Sequence, residues 1–373
     1  KKGLSAFLPN EHGPLTMQQL STFLRNPVKA FFRQRFSVVF EDQENDDFDD
    51  EPFGVNHLER YFFIKDLLAA RPSDLCASDV DRFVDGRLDQ VLRAGRLPVK
   101  ALGEMAQMDL AQVLKAILQS LLVEQAKYGD MAQRRSMRFE HDGIVLEDWL
   151  DHLCEPGERA IATDAEASES ELFDVVSLTV EPGKVCEKTG SDKSETKKKP
   201  SARADKLLIA WITSMVAAAC DVRVRLVVVA QDAVLCIRPM PKELAEQTLR
   251  MLLSLWQAGM NQPLPLPLKT SIEFVKAIQK DSASRPKSVV AEYEGTNGFD
   301  GNDPKPGERA EMCLSRQFPD YDALVDHNFT RLAQETFQPL LDWVSQYVVV
   351  QAHSSSEDVE VAESVDAASG EQA

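Results

Sequence analysis

Apolar residues recur at helical spacing through the first third of the chain and at strand spacing beyond it. Leu20, Phe23, Leu24, Val28, Phe31 and Phe32 form a helical stripe. Thr16, with Gln19 three residues later, is a capping-box signal for its start. Pro27 should kink that helix or split it. A second amphipathic helix is predicted near 55–70, carrying Leu58, Tyr61, Phe62, Leu67 and Leu68. A long one at about 99–127 carries Leu110, Val113, Leu114, Ile117, Leu118, Leu121 and Leu122. The period then shortens. Residues 137–141 and 144–150 flank Asp142-Gly143, a strong hairpin signal. Residues 172–180, 222–230 and 233–238 read as further strands, with helices near 203–219, 241–258 and 321–347. Leu244, Thr248, Leu252 and Leu255 mark one stripe of the 241–258 helix. The proline ladder at 263–267 excludes a central strand, and 295–308 has loop composition. No repeat of 20–50 residues is visible.

This order predicts an α/β fold: a mixed sheet flanked by helices on both faces, with a helical subdomain before it. The expected division is a linker at 1–14, a helical subdomain at 15–130, an α/β domain at 131–347 and an acidic, disordered tail at 348–373. Acidic residues 41–51 and the low-complexity stretch 187–201 read as surface insertions.

Charge changes the picture only once it is located. The 373 residues carry 42 Lys and Arg against 60 Asp and Glu, a net charge of −18. Residues 41–51 hold eight acids and no base, and 354–373 hold six acids and no base. Removing those fourteen leaves −4 across the other 342 residues, so the acidity does not exclude a nucleic-acid partner. The six cysteines form no CxxC pair, which fits a reduced cytosolic protein. No apolar run approaches the ~18 residues of a membrane span. Lys1-Lys2-Gly3 has neither an initiator Met nor a signal core, so a piece of a longer chain is expected.

Candidate chemistry is sparse. No phosphate loop GxxxxGK[ST] and no GxGxxG is present, so ATP hydrolysis is not expected here. His152 and Cys154 lack two further ligands at metal spacing, and no nucleophile elbow supports a Ser-His-Asp triad. A Mg²⁺ nuclease needs carboxylates on neighbouring strands with a lysine beside them. Asp151, closing the hairpin, is a candidate first carboxylate. Its partner motif, Asp/Glu-x-Lys, is missing: Asp164-Ala165-Glu166 is acidic where lysine is required, and Glu195-Thr196-Lys197 lies in the low-complexity insertion. A degenerate Asp151 is therefore the expectation, with no catalytic residue and no metal site. Two basic groups remain as candidate DNA contacts: Arg25, Lys29, Arg33 and Arg35, then Arg134, Arg135 and Arg138. Lys29 and Arg33 share a helical face. The phenylalanines between them fit a core stripe better than a stacking platform. A solvated face, or pairing with the acidic run, is the competing account of the arginines.

Several segments together carry a family resemblance. LTMQQLSTFLRNPVKAFFRQRFSVVF (15–40), EPFGVNHLERYFFIKDLL (51–68) and GRLPVKALGE (95–104) come first. LLSLWQAGMNQPLPLPLKTSIEFVK (252–276) follows, with Gly259, Met260, Pro263 and Leu264. YEG (293–295), CLSRQFPDYD (313–322) and TFQPLLDWV (336–344) complete the order. Over about 15–345 the chain resembles the C-terminal region of the RecC family, the gamma subunits of exodeoxyribonuclease V (the RecBCD helicase–nuclease). The resemblance implies a restriction-endonuclease-like, PD-(D/E)XK-like fold that has lost its catalytic residues, with Asp151 near a position where an active relative keeps a carboxylate. It implies a scaffold that lies against RecB-like and RecD-like subunits in the bacterial cytoplasm. Such a scaffold helps split duplex ends and guides single strands in double-strand break repair, recombination and degradation of linear DNA. Mg²⁺ and ATP would be used by those partners and no cofactor held here; no Chi-recognition residue is implied. Two other readings stay open: a metal-dependent nuclease using Asp151, and a protein-binding module without DNA contact.

Overall fold

The computed structural model describes residues 5–9, 13–40, 57–98, 100–157, 172–187, 200–280, 286–297 and 304–353. Five strands form a mixed sheet in the order β3 (Leu153–Cys154), β4 (Val175–Glu181), β5 (Val224–Ala230), β6 (Val234–Ile237) and β7 (Val348–Gln351). Only β4 and β5 are parallel, joined by the crossover helix α6 (Leu208–Ala219). The hairpin β1 (Arg135–His141) and β2 (Ile144–Leu150) stands as a separate two-stranded sheet. Asp142 and Gly143 at its tip both take positive φ, 48° and 74°, which the tight two-residue turn requires.

Side-chain alternation sends each strand's residues to two different cores. Val175, Val224, Leu226, Leu235 and Ile237 enter one apolar cluster with helices α1 (Met17–Arg25), α6 and α7 (Lys242–Asn261). Helices α8 (Leu268–Gln279) and α12 (Phe329–Tyr347) belong to the same cluster. Val176, Leu178, Val227, Val229 and Val234 enter a second cluster with α3 (His57–Ala69), α4 (Val80–Arg93) and α5 (Ala101–Gln125).

The start of α1 follows its sequence signals closely. Gln19 N–H donates to Thr16 Oγ1 (3.1 Å) while Thr16 N–H donates to Gln19 Oε1 (2.9 Å). Pro27 splits the helix: Asn26 ends α1 and caps α2 (Pro27–Phe36), accepting from Lys29 N–H at 2.9 Å. Proline at the first helical position lacks an N–H that would be orphaned anyway.

Several expectations need correction. The helices of 15–130 do not gather into one subdomain. Helices α1 and α2 pack on α6 and α7, while α3–α5 cover the opposite sheet face. The linker 1–14 includes Phe7, 2% exposed, which meets the Trp256 ring edge-on at 5.3 Å. Within 348–373, Val348–Gln351 form edge strand β7, paired with β6. Just beyond it His353 Nε2–H donates to the Gln231 carbonyl (3.1 Å), leaving Nδ1 to accept from Ser120 Oγ (2.9 Å). The expected 321–347 helix breaks at Asn328, whose φ is 72°, into α11 (Tyr321–Asp326) and α12. The periodicity missed α4, α8, α9 (Lys287–Glu294) and α10 (Met312–Gln317). The acidic run 41–51, most of insertion 187–201 and the tail from 354 lie outside the described residues.

Candidate nucleic-acid interface

Hairpin, sheet and α1 meet at one corner. Leu15 pairs with β2, its N–H donating to the Val145 carbonyl (2.7 Å) and its carbonyl accepting from Glu147 N–H (2.9 Å). Asp148 lies on the inward parity of β2 and accepts from Met17 N–H through Oδ2 at 2.9 Å. A carboxylate at a helix N-terminus satisfies an orphan donor and opposes the helix dipole. The chain then turns at Asp151 and His152, whose φ is 55°, into the short strand β3.

Beside this turn runs β4, with Leu153 opposite Ser177. Ser177 Oγ donates to the Asp151 carbonyl (3.2 Å), and Thr179 Oγ1 donates to the Val227 carbonyl (3.4 Å). Asp151 itself is exposed. A cleft of about 280 Å³ opens here, lined by Trp149, Asp151, His152, Ser177, Thr179, Glu181 and Lys206 among others. The Glu181 carboxylate accepts from Gly183 N–H at 3.0 Å. Nearby, burial first and then the Glu181 charge raise the Tyr61 phenol above its usual value, with Arg25 opposing.

The residue types decide what this corner can hold. A strand carboxylate and a lysine two residues on would need positions such as 177 and 179, which share a face beside Asp151. They are serine and threonine. Neither supplies the charged oxygen or the ammonium that the motif of a Mg²⁺ nuclease centre places there. No group of three or more His, Cys, Asp and Glu able to hold a metal occurs among the described residues. Asp164-Ala165-Glu166 and Glu195-Thr196-Lys197 lie outside the described residues.

The two basic groups are used differently. Arg25 and Arg33 are exposed on α1 and α2, and Lys29 is half-buried one turn before Arg33. Arg35 is tied to the N-terminal segment: it donates to the Ser5 carbonyl and lies 5.5 Å from the centre of the Phe7 ring. On the hairpin, Arg138 is neutralised by Glu147 directly across the ladder (2.7 Å) and by Glu140 (3.7 Å). Arg135 is exposed, and its charge helps hold the Asp174 carboxyl below its usual range, behind the larger effect of Arg223. Arg134 lies over the Trp149 ring at 4.3 Å. Because the hairpin meets the N-terminal end of α1, Arg25 sits at the far end of a nine-residue helix, about 12 Å away by helix rise.

The sequence reading did not single out Trp149, Ser177, Thr179, Glu181 or Lys206. Trp149 had a readable signal. Ile144, Leu146 and Leu150 set the inward parity of β2, and Trp149 is a large aromatic on the outward one.

Together these features define a mixed α/β protein with a cleft at a strand corner, lined mostly by apolar side chains with Asp151, Glu181 and Lys206 among them, and with no Asp/Glu-x-Lys on β4. A sequence model of a protein family, described as the RecC C-terminal domain, matches residues 12–279. The chain belongs to that family. No curated protein matches it. No helix among the described residues is long and apolar enough to cross a membrane.

Proposed function

We propose that this chain is the non-catalytic, DNA-guiding part of the gamma subunit of a RecBCD-type helicase–nuclease. It would act at double-strand breaks, in recombination and in degradation of linear DNA. The observation that carries this reading is the corner itself. A β–β–β–α–β run, β2 to β5 around α6, brings Asp151 beside β4; that order supports a degenerate PD-(D/E)XK-like fold, in which Ser177 and Thr179 would stand where an active centre needs a carboxylate and a lysine. RecB-like and RecD-like subunits would bring ATP, Mg²⁺ and cleavage; this chain would dock against them and steer strands with Arg25, Lys29, Arg33, Arg134 and Arg135. Arg138 and Arg35 contribute less, since their guanidinium groups already serve internal contacts.

Three assays on the purified chain test this. It should co-purify with RecB-like or RecD-like partners and bind forked DNA at low salt, with affinity falling as salt rises. With Mg²⁺ or Mn²⁺ it should leave labelled DNA intact. Cleavage abolished by Asp151→Ala would replace the scaffold reading with a nuclease. Partner binding without any DNA affinity would leave a protein-binding module.

A further inference from the structure

We propose that the cleft beside Asp151 takes one unstacked base of single-stranded DNA, held against Trp149 and Arg134 with a flanking phosphate at Lys206. This rests on the DNA-guiding function above and names where a strand would be gripped. Trp149 is 46% exposed although it lines the cleft. The ring stands on an outward strand position with the Arg134 guanidinium 4.3 Å from its centre, so an aromatic and a planar cation lie together at a solvent-open place. Indole and guanidinium planes are the surfaces on which unpaired bases stack.

The remaining lining suits a base edge. Among mostly aliphatic side chains, Ser177, Thr179 and Thr213 bring hydroxyl oxygens, while Asp151 and Glu181 bring carboxylates that accept from an exocyclic amine or ring N–H. Lys206 is exposed at the same cleft and supplies a positive charge for a phosphate. A volume of about 280 Å³ lies just below the ~300 Å³ at which ligand sites usually begin, a size suited to a single base.

Tryptophan fluorescence gives a direct readout. The other three tryptophans, Trp211, Trp256 and Trp343, are 1%, 9% and 2% exposed, so a stacked base should quench Trp149 selectively. Titrating the chain with a short single-stranded oligonucleotide should quench its emission, and Trp149→Ala should remove that quench. By anisotropy of a labelled oligonucleotide, Trp149→Ala should weaken binding about tenfold or more, with the salt dependence unchanged. Trp149→Phe, which still stacks, should recover most of the affinity. Lys206→Ala should instead flatten the log–log salt slope by about 0.7. Single-strand binding with no quench, and with equal affinity in Trp149→Ala, overturns the base site and leaves the DNA-guiding function standing. Absence of any binding to single-stranded or forked DNA at low salt overturns both.

Discussion

The two faces of the five-stranded sheet are built from the same strands and differ in what they leave open. Toward α3–α5, β4 presents Val176, Leu178 and Val180, and β5 presents Val227 and Val229. Toward α1 and α6, β4 presents Val175, then Ser177, Thr179 and Glu181. The first face is sealed by aliphatic contacts. The second is equally dense near α7, α8 and α12 but opens at the hairpin corner, where β4 lines the cleft with Ser177, Thr179 and Glu181 among aliphatic neighbours. One alternating strand can therefore serve a core and a site at once, because successive side chains point to opposite faces.

The strongest way to break this comparison is to ask whether the two faces unfold separately. Ile117 on α5 and Ile212 on α6 are both fully buried, one in each cluster. Truncating either to alanine should cost about 2–5 kcal/mol. If the shared sheet makes one cooperative unit, Ile117→Ala and Ile212→Ala will each move a single denaturant transition by similar amounts. Two transitions, with Ile117→Ala moving only one of them, would restore a separate helical subdomain. A smaller loss follows from placing a hydroxyl on the sealed face. Val176 is fully buried, and Val176→Thr keeps its shape while burying an oxygen, at about 1–3 kcal/mol by chemical denaturation.

Away from the sheet, a carboxylate turned into the helices offers a further test. Glu308 is half-buried overall, but its carboxylate turns inward onto the start of α8. It accepts from Lys269 N–H (3.0 Å), Thr270 N–H (2.7 Å) and Thr270 Oγ1 (2.7 Å). Glu308→Ala orphans these donors and should cost about 1–2 kcal/mol. Burial raises the Glu308 carboxyl above its usual 4.5, against the opposing pull of those hydrogen bonds. Between the unfolded value and the raised folded one, the native state holds a proton that the unfolded chain has released. The wild type should therefore lose stability as pH climbs through that window, relative to Glu308→Ala. Urea midpoints from pH 4 to 7 give the difference; a flat difference would place the carboxylate in ordinary solvent.

How much of this was legible depended on whether the signal was local. The capping box at Thr16 and Gln19, the Pro27 break and the Asp142-Gly143 turn are short-range chemistry, and all appear as read. The strands at 224–230 and 234–237 fall within the predicted runs, and that at 175–181 ends one residue past its own. The division of α1–α5 between two sheet faces was not legible, because periodicity says that a helix has an apolar face but not what covers it. Helix α4 was missed because aspartate, arginine and Gly86 dilute its stripe of Val80, Val84, Leu88 and Val91. At the cleft, Asp151 and Arg134 carried a signal in their residue type. Ser177 and Thr179 were not, since the search sought an acid and a lysine, and two hydroxyls inside an aliphatic strand carry no chemical flag.

The smallest expected effect sharpens the comparison most, because it reverses the Val176 substitution three residues along the same strand. Thr179→Val removes a hydroxyl from a half-buried position, and that hydroxyl makes one long hydrogen bond to the Val227 carbonyl, 3.4 Å. The carbonyl already belongs to the β5 ladder, so it is not orphaned, and the branched side chain keeps its strand preference. Stability should shift by no more than about 0.5 kcal/mol in a urea titration. A loss comparable to that of Val176→Thr would mean that Thr179 belongs to a sealed polar core. The cleft would then be a packing defect, and a base could not enter it. Near-neutrality at 179 beside a clear cost at 176 would show that β4 is exempt from core packing on one face only, the condition for a strand that both holds the sheet together and lines a site.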